Sequence, residues 1–219
     1  RGAAVKGDQA FVPGGQGPAT VAALLAASSA ARGLQDNAVD VAPPLRSAVV
    51  AYRAGDLGTA EATFRSMAAS DADAEAWLGA ILLDRGVNKE GLRHIQRAAD
   101  AGSSEGAHRL ALVYAEGLAG TPRNDGRAIE LFEKAANAGH ARAQLNLGIL
   151  YLRGQGVARD LIQARAWLEK AAVGGDPQAL YALARALSES EDAAGADPVR
   201  AADLYRKAST DALGHRDRN

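Results

Sequence analysis

The sequence predicts an all-α protein, folded as a right-handed α/α superhelix of about four to five helix pairs. Three observations support this prediction: helical spacing of apolar residues, glycines at the ends of apolar runs, and a pattern that recurs every 36 or 37 residues. In "LNLGILYL" and "LIQARAWLEKAA" the apolar residues lie three or four positions apart, and no alternating strand pattern competes. Each repeat is therefore expected to contain two helices.

The recurrence is clearest between two adjacent segments of the chain. In the first segment the shared residues are Tyr114, Gly117, Lys134 and Gly139, and in the second they are Tyr151, Gly154, Lys170 and Gly175. Looser copies flank these two, and a degenerate copy, "AYRAGDLGTAEATFRSMAA", precedes them. A helix pair of this size cannot bury its apolar face alone, so neighbouring pairs must stack into a solenoid with a concave side.

Chemical signals mark where the helices begin and end. Asp160 and Asp197 are suited to cap second helices, and Asp176 followed by Pro177 is suited to start a first helix. Glycine adopts a left-handed backbone at low cost, so glycines are expected just past helix ends. The glycines in such places are Gly86, Gly102, Gly117, Gly139, Gly154 and Gly174.

Residue size along the repeats predicts the packing. A small residue recurs at one first-helix position, where paired helices must approach closely, and leucine precedes it in each unit. The small residues are Gly79, Ala111, Gly148 and Ala184, and the leucines are Leu78, Leu110, Leu147 and Leu183. In the second helices, large core residues are expected at His94, Leu131, Trp167 and Leu204.

Composition separates three segments and excludes some partners. The net charge is -1, with 25 basic and 26 acidic residues interspersed, which favours neither nucleic acid nor anionic lipid as a partner. Residues 1–42 are Gly/Ala/Pro-rich and are expected to be partly ordered or helical, residues 43–210 to form the repeat domain, and residues 211–219 to form a polar tail. Cysteine is absent, which leaves the redox compartment open.

The longest apolar run, residues 19–31, is too short and too rich in Ala and Ser to predict a transmembrane helix. It is similar to the apolar part of a signal peptide, but "VPGGQGP" stands where a basic region is expected. An Ala-rich helix or a linker is the favoured interpretation of this run.

Two short strings match binding or catalytic motifs weakly. The glycines of "RGQGV" could wrap a phosphate, but a corner at this place recurs within each repeat. The segment also lacks a preceding strand and a G-x-x-x-x-G-K-[ST] pattern. The string "GSSEG", which contains Ser104, matches the G-x-S-x-G elbow of serine hydrolases, yet it follows a predicted helix. Both are interpreted as structural corners.

The histidines are not expected to bind a metal. His94 takes a predicted core position, His140 follows a glycine that closes a repeat, and His215 lies in the polar tail. We therefore expect no histidine cluster, no cofactor and no catalytic site in this chain.

The pattern A-x3-LG-x2-Y-x2-G-x-GV-x2-D-x3-A-x2-W-x2-KAA-x2-G, read over residues 143–175, resembles the Sel1-like repeat, a relative of the tetratricopeptide repeat. The match is good over residues 106–139 and partial in the units that start near Ala74 and Ala179. The unit around residues 52–67 is more similar to a plain tetratricopeptide repeat. Two first-helix positions depart from the pattern, with Leu82 and Leu187 in place of tyrosine.

The resemblance implies a non-catalytic adaptor that binds a protein or peptide on the concave face of the superhelix, in bacterial envelope assembly or signalling. A periplasmic or other envelope location follows from the same analogy, with the cytoplasm as the alternative. The alternative function is binding of peptidoglycan or another polysaccharide at the envelope. Sugar sites favour exposed aromatic side chains, and only Tyr181 is expected to provide one.

In this family the first helices line the inner surface, and repeat register then predicts the binding face. Its residues are His108, Leu112, Glu116, Arg142, Leu145, Ile149, Arg153, Tyr181 and Arg185. Leucine, isoleucine and tyrosine are expected to form an apolar centre and the arginines a basic rim. Such a surface suits an acidic, amphipathic partner segment.

Overall fold

The computed structural model describes residues 43–189 and 197–214, and within these ranges the chain forms ten α-helices and no β-strand. In chain order the helices are α1 (Pro43–Arg53), α2 (Leu57–Met67), α3 (Ala72–Asp84), α4 (Asn88–Asp100), α5 (Ser104–Glu116), α6 (Asp125–Asn137), α7 (Ala141–Arg153), α8 (Leu161–Ala172), α9 (Pro177–Ser188) and α10 (Pro198–Gly214). The predicted N-terminal segment, residues 1–42, lies outside the described residues. The last helix continues past the boundary predicted at residue 210.

The helices form five consecutive pairs, α1–α2 to α9–α10, and the second helix of each pair packs on the first helix of the next. The first helices α3 and α5 also contact each other, as α7 and α9 do. The first helices therefore lie along one side of the stack, which we call the inner side. The predicted all-α solenoid of helix pairs is confirmed.

Close helix packing in each unit depends on the predicted small residues. A Cβ atom added to Gly148 in α7 would lie 2.6 Å from Leu168 Cγ in α8, and one added to Gly79 would lie 2.7 Å from the Gly91 carbonyl oxygen. The leucines one position earlier in the first helices are all buried, as predicted. Small and large residues at adjacent positions therefore set the spacing within each pair.

Of the four predicted core positions in the second helices only Leu131 is buried, and Leu204 is partly buried like the tyrosine after it. His94 and Trp167 are only partly buried, whereas Ile95, Phe132 and Leu168, one position later, are fully buried. One residue turns a helix face by about 100°. The second helices are therefore rotated relative to the orientation that the residue sizes favoured.

The predicted helix starts are confirmed. The Asp160 carboxylate accepts hydrogen bonds from the backbone amides of Ile162 and Gln163, both at 2.9 Å. Asp176 and Asp197 cap α9 and α10 in the same way. These carboxylates satisfy backbone donors that have no partner within the helix.

The helix-ending glycines follow the prediction with one exception. Gly117 and Gly154 end α5 and α7 in the left-handed conformation, with φ of 68° and 66°. In the corner after α8, the left-handed residue is Gly175, with φ of 75°, and not the predicted Gly174. The shift occurs because Val173 still has helical backbone angles, which moves the turn one residue on.

Each pair of helices from α3 to α10 shares one backbone contact across its corner. The amide of the residue that precedes the second helix donates to the carbonyl at the first-helix position that tyrosine occupies in two units. The four bonds are Val87 to Leu82 (2.8 Å), Asn124 to Tyr114 (2.8 Å), Asp160 to Tyr151 (3.0 Å) and Asp197 to Leu187 (3.2 Å). We call this contact the corner bond. It uses the carbonyl group, so leucine replaces tyrosine without changing it.

Candidate functional site

The nine predicted binding residues all lie on first helices. They comprise His108, Leu112 and Glu116 on α5, Arg142, Leu145, Ile149 and Arg153 on α7, and Tyr181 and Arg185 on α9. The structure thus places them along the inner side of the stack, but it does not expose them equally.

The expected apolar centre of this face is buried, which corrects the prediction. Leu112, Leu145 and Ile149 are 3–5% exposed. Leu145 and Ile149 belong to the core cluster that also contains Leu183 of α9. Helix α9 packs on α7 and covers Leu145 and Ile149, whereas Leu112 lies in the neighbouring core cluster around Leu110 and Phe132. A partner can therefore not use Ile149 as an anchor without opening the core.

The same register positions are open to solvent in the last described unit. Tyr181 corresponds to Leu145 and is 58% exposed, since no further described first helix packs over it. Its ring meets the ring of Tyr205 edge-on, with centroids 5.2 Å apart. Arg185, one helical turn further along α9, lies on the same face as Tyr181. Tyr181 is therefore the exposed member of the predicted centre, and Tyr205, which was not predicted, packs beside it.

Two arginines of the predicted rim, Arg185 on α9 and Arg153 on α7, lie near each other. Arg185 Nε lies 2.5 Å from Glu189 Oε1, and this carboxylate also pairs with Arg159. Burial lowers the pKa of Arg153, and the charge of nearby Arg185 lowers it further. Among the described residues Arg153 has no ion pair within 4 Å. The Glu189 carboxylate offsets part of this repulsion.

The other two charged residues of the predicted face, Arg142 and Glu116, are partly exposed, as Arg153 and Arg185 are. Burial lowers the pKa of Arg142, although the Asp176 carboxylate acts in the opposite direction. Burial raises the pKa of Glu116, which adjoins Arg123 and Asp125. Partly exposed side chains of both signs therefore contribute to the face.

A cluster of three ionisable side chains contradicts the expectation that no histidines gather. Glu105 and His108 lie one turn apart on α5, and His140 caps the start of α7. His140 Nε2 is 3.0 Å from Glu105 Oε2, and the two imidazole rings stack with centroids 4.5 Å apart. Arg109 Nε lies 2.5 Å from the other carboxylate oxygen of Glu105. The cluster joins two adjacent units.

The link between units has a counterpart one unit earlier. Ser103, the cap of α5, accepts a hydrogen bond from the Gly106 amide at 2.8 Å and donates one to Asp73 of α3. His140, the cap of α7, contacts Glu105 of α5 in the equivalent way. Each capping side chain therefore both starts its own helix and ties it to the preceding first helix.

Both corner motifs have structural roles. Ser104 begins α5 directly after the turn from α4, so the strand that a hydrolase elbow requires is absent there. Gly156 packs on the unit before it, where an added Cβ would lie 2.9 Å from Ile129 Cδ1. The corner between α7 and α8 likewise follows a helix, as the sequence predicted.

Consecutive stacked helix pairs define an α/α repeat protein. The family model for the Sel1 repeat matches residues 72–103, 104–140, 141–176 and 177–211, and the chain therefore belongs to the Sel1 repeat family. The pair α1–α2 lies before the matched residues.

Two curated relatives are similar to part of the chain. A component of an ERAD-associated E3 ubiquitin-protein ligase, HRD3B of Arabidopsis thaliana, is 34% identical over 105 residues, which are 48% of this chain and 16% of that protein. Chitin synthase regulatory factor 2 of Schizosaccharomyces pombe is 36% identical over 100 residues, 44% of this chain and 19% of that protein. The matches span less than a fifth of each relative.

A solved structure shows the same fold. A Sel1 repeat protein from Oxalobacter formigenes superposes with a TM-score of 0.62 at 22% identity, covering 78% of this chain and 69% of that chain. Family membership and this repeat architecture support a role as a protein–protein interaction adaptor. No helix in the described ranges is long and apolar enough to cross a membrane.

Proposed function

We propose that this chain is a non-catalytic adaptor that binds a protein or peptide segment at the inner end of its repeat stack. The observation that carries the proposal is the exposed ring of Tyr181, packed edge-on against Tyr205. Internal units bury the side chain at this register position, so the last described unit presents an anchor site that the others lack. Aromatic side chains with one exposed face are frequent at the centres of protein interfaces.

The charges beside this anchor site define the partner's chemistry. Arg185 shares one carboxylate with Arg159, and Arg153 has no close ion pair of its own among the described residues. A segment that offers an apolar side chain to Tyr181 and carboxylates to Arg153 and Arg185 would complement both properties. The expected partner is therefore acidic and amphipathic.

The cellular setting is the part of this proposal that depends on family analogy. Many bacterial members of the family work in the cell envelope, and by this analogy we propose a role in envelope assembly or signalling. The curated relatives are a ubiquitin-ligase component and a chitin synthase regulatory factor, and these names support an accessory protein in a larger assembly.

The proposal is tested by capture of partners with three forms of the full chain: wild type, Tyr181→Ala and Ile162→Ala. Ile162 is the matched control because it is 79% exposed and lies on second helix α8. We expect a protein that binds the wild type and the Ile162 variant directly and loses at least about tenfold affinity for the Tyr181 variant. Equal binding to all three forms would place the interface elsewhere.

A salt titration separates the roles of the two kinds of residue. Tyr181→Ala should weaken binding of the captured partner at every salt concentration, because the substitution removes apolar contact. Arg153→Ala should weaken binding mainly at low salt and flatten the salt dependence. If binding of the wild type does not change with salt, the basic rim has no part in recognition.

The second candidate function is polysaccharide or peptidoglycan binding, and the same Tyr181–Tyr205 pair favours it, since exposed aromatic rings stack on sugars. Cosedimentation with purified insoluble peptidoglycan distinguishes the two functions. Retention of the wild type but not of Tyr181→Ala would support sugar binding in place of a protein partner.

A further inference from the structure

The proposed partner surface does not use the cluster of Glu105, His108 and His140. One ligand atom from each of these side chains lies within 4.8 Å of the ligand atoms of the other two. Two imidazoles and a carboxylate are a common ligand set for zinc, with water in the fourth position. We propose that these three side chains form a zinc site that links the units of α5 and α7.

The ligand atoms lie near the spacing of a zinc site, but the side chains must rearrange to bind the ion. Tetrahedral zinc with bonds of about 2.0–2.1 Å holds its ligand atoms roughly 3.3–3.5 Å apart. The pair of His140 Nε2 and Glu105 Oε2, 3.0 Å apart, must open slightly, and one of the two stacked imidazoles must turn, because zinc binds in the plane of each ring. Glu105 and His140 are partly exposed, which gives zinc a route in and lets both side chains adjust.

His108 supplies an independent observation that points to a ligand. It is 3% exposed, and its Nδ1 atom is buried with no hydrogen-bond partner among the described residues. A buried polar atom without a partner destabilises the fold unless a ligand satisfies it. The other ring nitrogen lies 3.3 Å from the Asn146 side-chain amide. Turned to present its carbonyl oxygen, this amide would hold Nε2–H and leave Nδ1 free to coordinate.

Two features oppose the ion and limit its affinity. His140 Nδ1 accepts a hydrogen bond from the Ala143 amide at 3.2 Å, and zinc on Nε2 would put the ring proton on Nδ1 and break this cap. Loss of this helix cap would offset part of the binding free energy of the ion. The Arg109 cation also shares the Glu105 carboxylate. We therefore expect weaker binding than at a closed four-ligand site, and a changed environment for the Ala143 amide.

Zinc chloride titrated into the full chain without an affinity tag tests the proposal by calorimetry and thermal melting. His108→Leu is expected to fold, because Leu145 occupies the equivalent position, and His140→Asn keeps a side chain that can cap α7. His94→Asn is the control, since His94 lies 3.3 Å from Glu75 outside the cluster. Melting without zinc confirms that each variant is folded.

We expect the wild type and the His94 variant to bind one zinc ion per chain and to melt at a higher temperature when it is bound. His108→Leu and His140→Asn should each lose at least about tenfold in affinity. The nitrogen-15 resonance of Ala143 should shift on zinc addition in the wild type. Absence of binding to the wild type, binding retained in both cluster variants, or binding lost in the His94 variant would each overturn the site.

Discussion

The guanidinium carbon of Arg109 lies 3.9 Å from the centre of the Trp77 ring. Arg109 belongs to α5 and Trp77 to α3, so the contact joins two units on the inner side of the stack. The Trp77 ring stacks on Phe64 at 5.9 Å and meets Tyr52 edge-on at 5.2 Å. Because Arg109 is buried, its charge is poorly solvated and its contact with the ring is correspondingly strong.

A double-mutant cycle with Arg109→Met and Trp77→Leu should give a coupling free energy of about 1–2 kcal/mol in urea unfolding, as expected for a desolvated cation over an aromatic face. The control cycle uses Lys170 and Trp167. The Lys170 ammonium lies 4.0 Å from the centre of the Trp167 ring, but Lys170 is exposed. The coupling free energy in this control cycle should be about 0.5 kcal/mol. Equal couplings in the two cycles would contradict the role of burial.

Gly148→Ala should lower the free energy of unfolding by about 1–2 kcal/mol, because the added methyl group meets Leu168 Cγ at 2.6 Å and the Ala164 carbonyl oxygen at 3.2 Å. Gly126→Ala is the control, since its Cβ would have only Asn124 Oδ1 nearby, at 3.6 Å. The control should leave stability unchanged or raise it. Chemical denaturation of both variants measures the difference, and similar stabilities would show that α7 and α8 separate easily.

Gly154→Val should lower stability by about 1 kcal/mol or more, because Gly154 has φ of 66° and a β-branched residue is strained there. Gly154→Asn should lose less, since asparagine enters the left-handed region more readily. Thermal melting distinguishes the two variants, and no nucleotide affinity should accompany the loss. ATP binding that disappears in Gly154→Val would instead identify the corner as a phosphate loop.

Asp84→Asn should stabilise the protein more at pH 7 than at pH 3. Burial raises the pKa of Asp84, whose Oδ2 accepts a hydrogen bond from the Tyr52 hydroxyl at 2.7 Å. Because the pKa of Asp84 is higher in the folded than in the unfolded protein, ionisation of Asp84 at pH 7 lowers the free energy of unfolding. At pH 3 the carboxyl is protonated in the folded and the unfolded protein, so this penalty is absent. Urea unfolding of the wild type and the variant at both pH values measures the stabilisation. A stabilisation that is smaller at pH 7 than at pH 3 would contradict the prediction.

Helix number, pairing and end residues could be predicted because each depends on local chemistry. Asp160 caps α8 and Gly154 ends α7 through contacts within a few residues. The exposure of the binding face depended instead on how closely consecutive first helices pack. Repeat register placed Leu145 and Tyr181 at equivalent positions, but only the folded stack shows that α9 covers the first and leaves the second open.

The Glu105–His108–His140 cluster escaped sequence analysis for a related reason. His108 and His140 are 32 positions apart, and no short motif contains both. A signal was nevertheless present, because His140 aligns with Ser103 at the start of its repeat, and both positions cap a first helix. Superposing adjacent units would have brought His140 against Glu105, the residue two positions after the equivalent cap.

The corner bond makes the turn between the two helices of a unit a suitable place to insert foreign sequence. The donor and the acceptor of this bond are five residues apart in one unit and nine or ten in the others. In every case the residue before the second helix is held against the equivalent carbonyl of the first helix. Loop length therefore changes without displacing the helices that it joins. A short epitope or a fluorescent label placed after Gly120, where an added side chain has open space, should be displayed on a correctly folded protein.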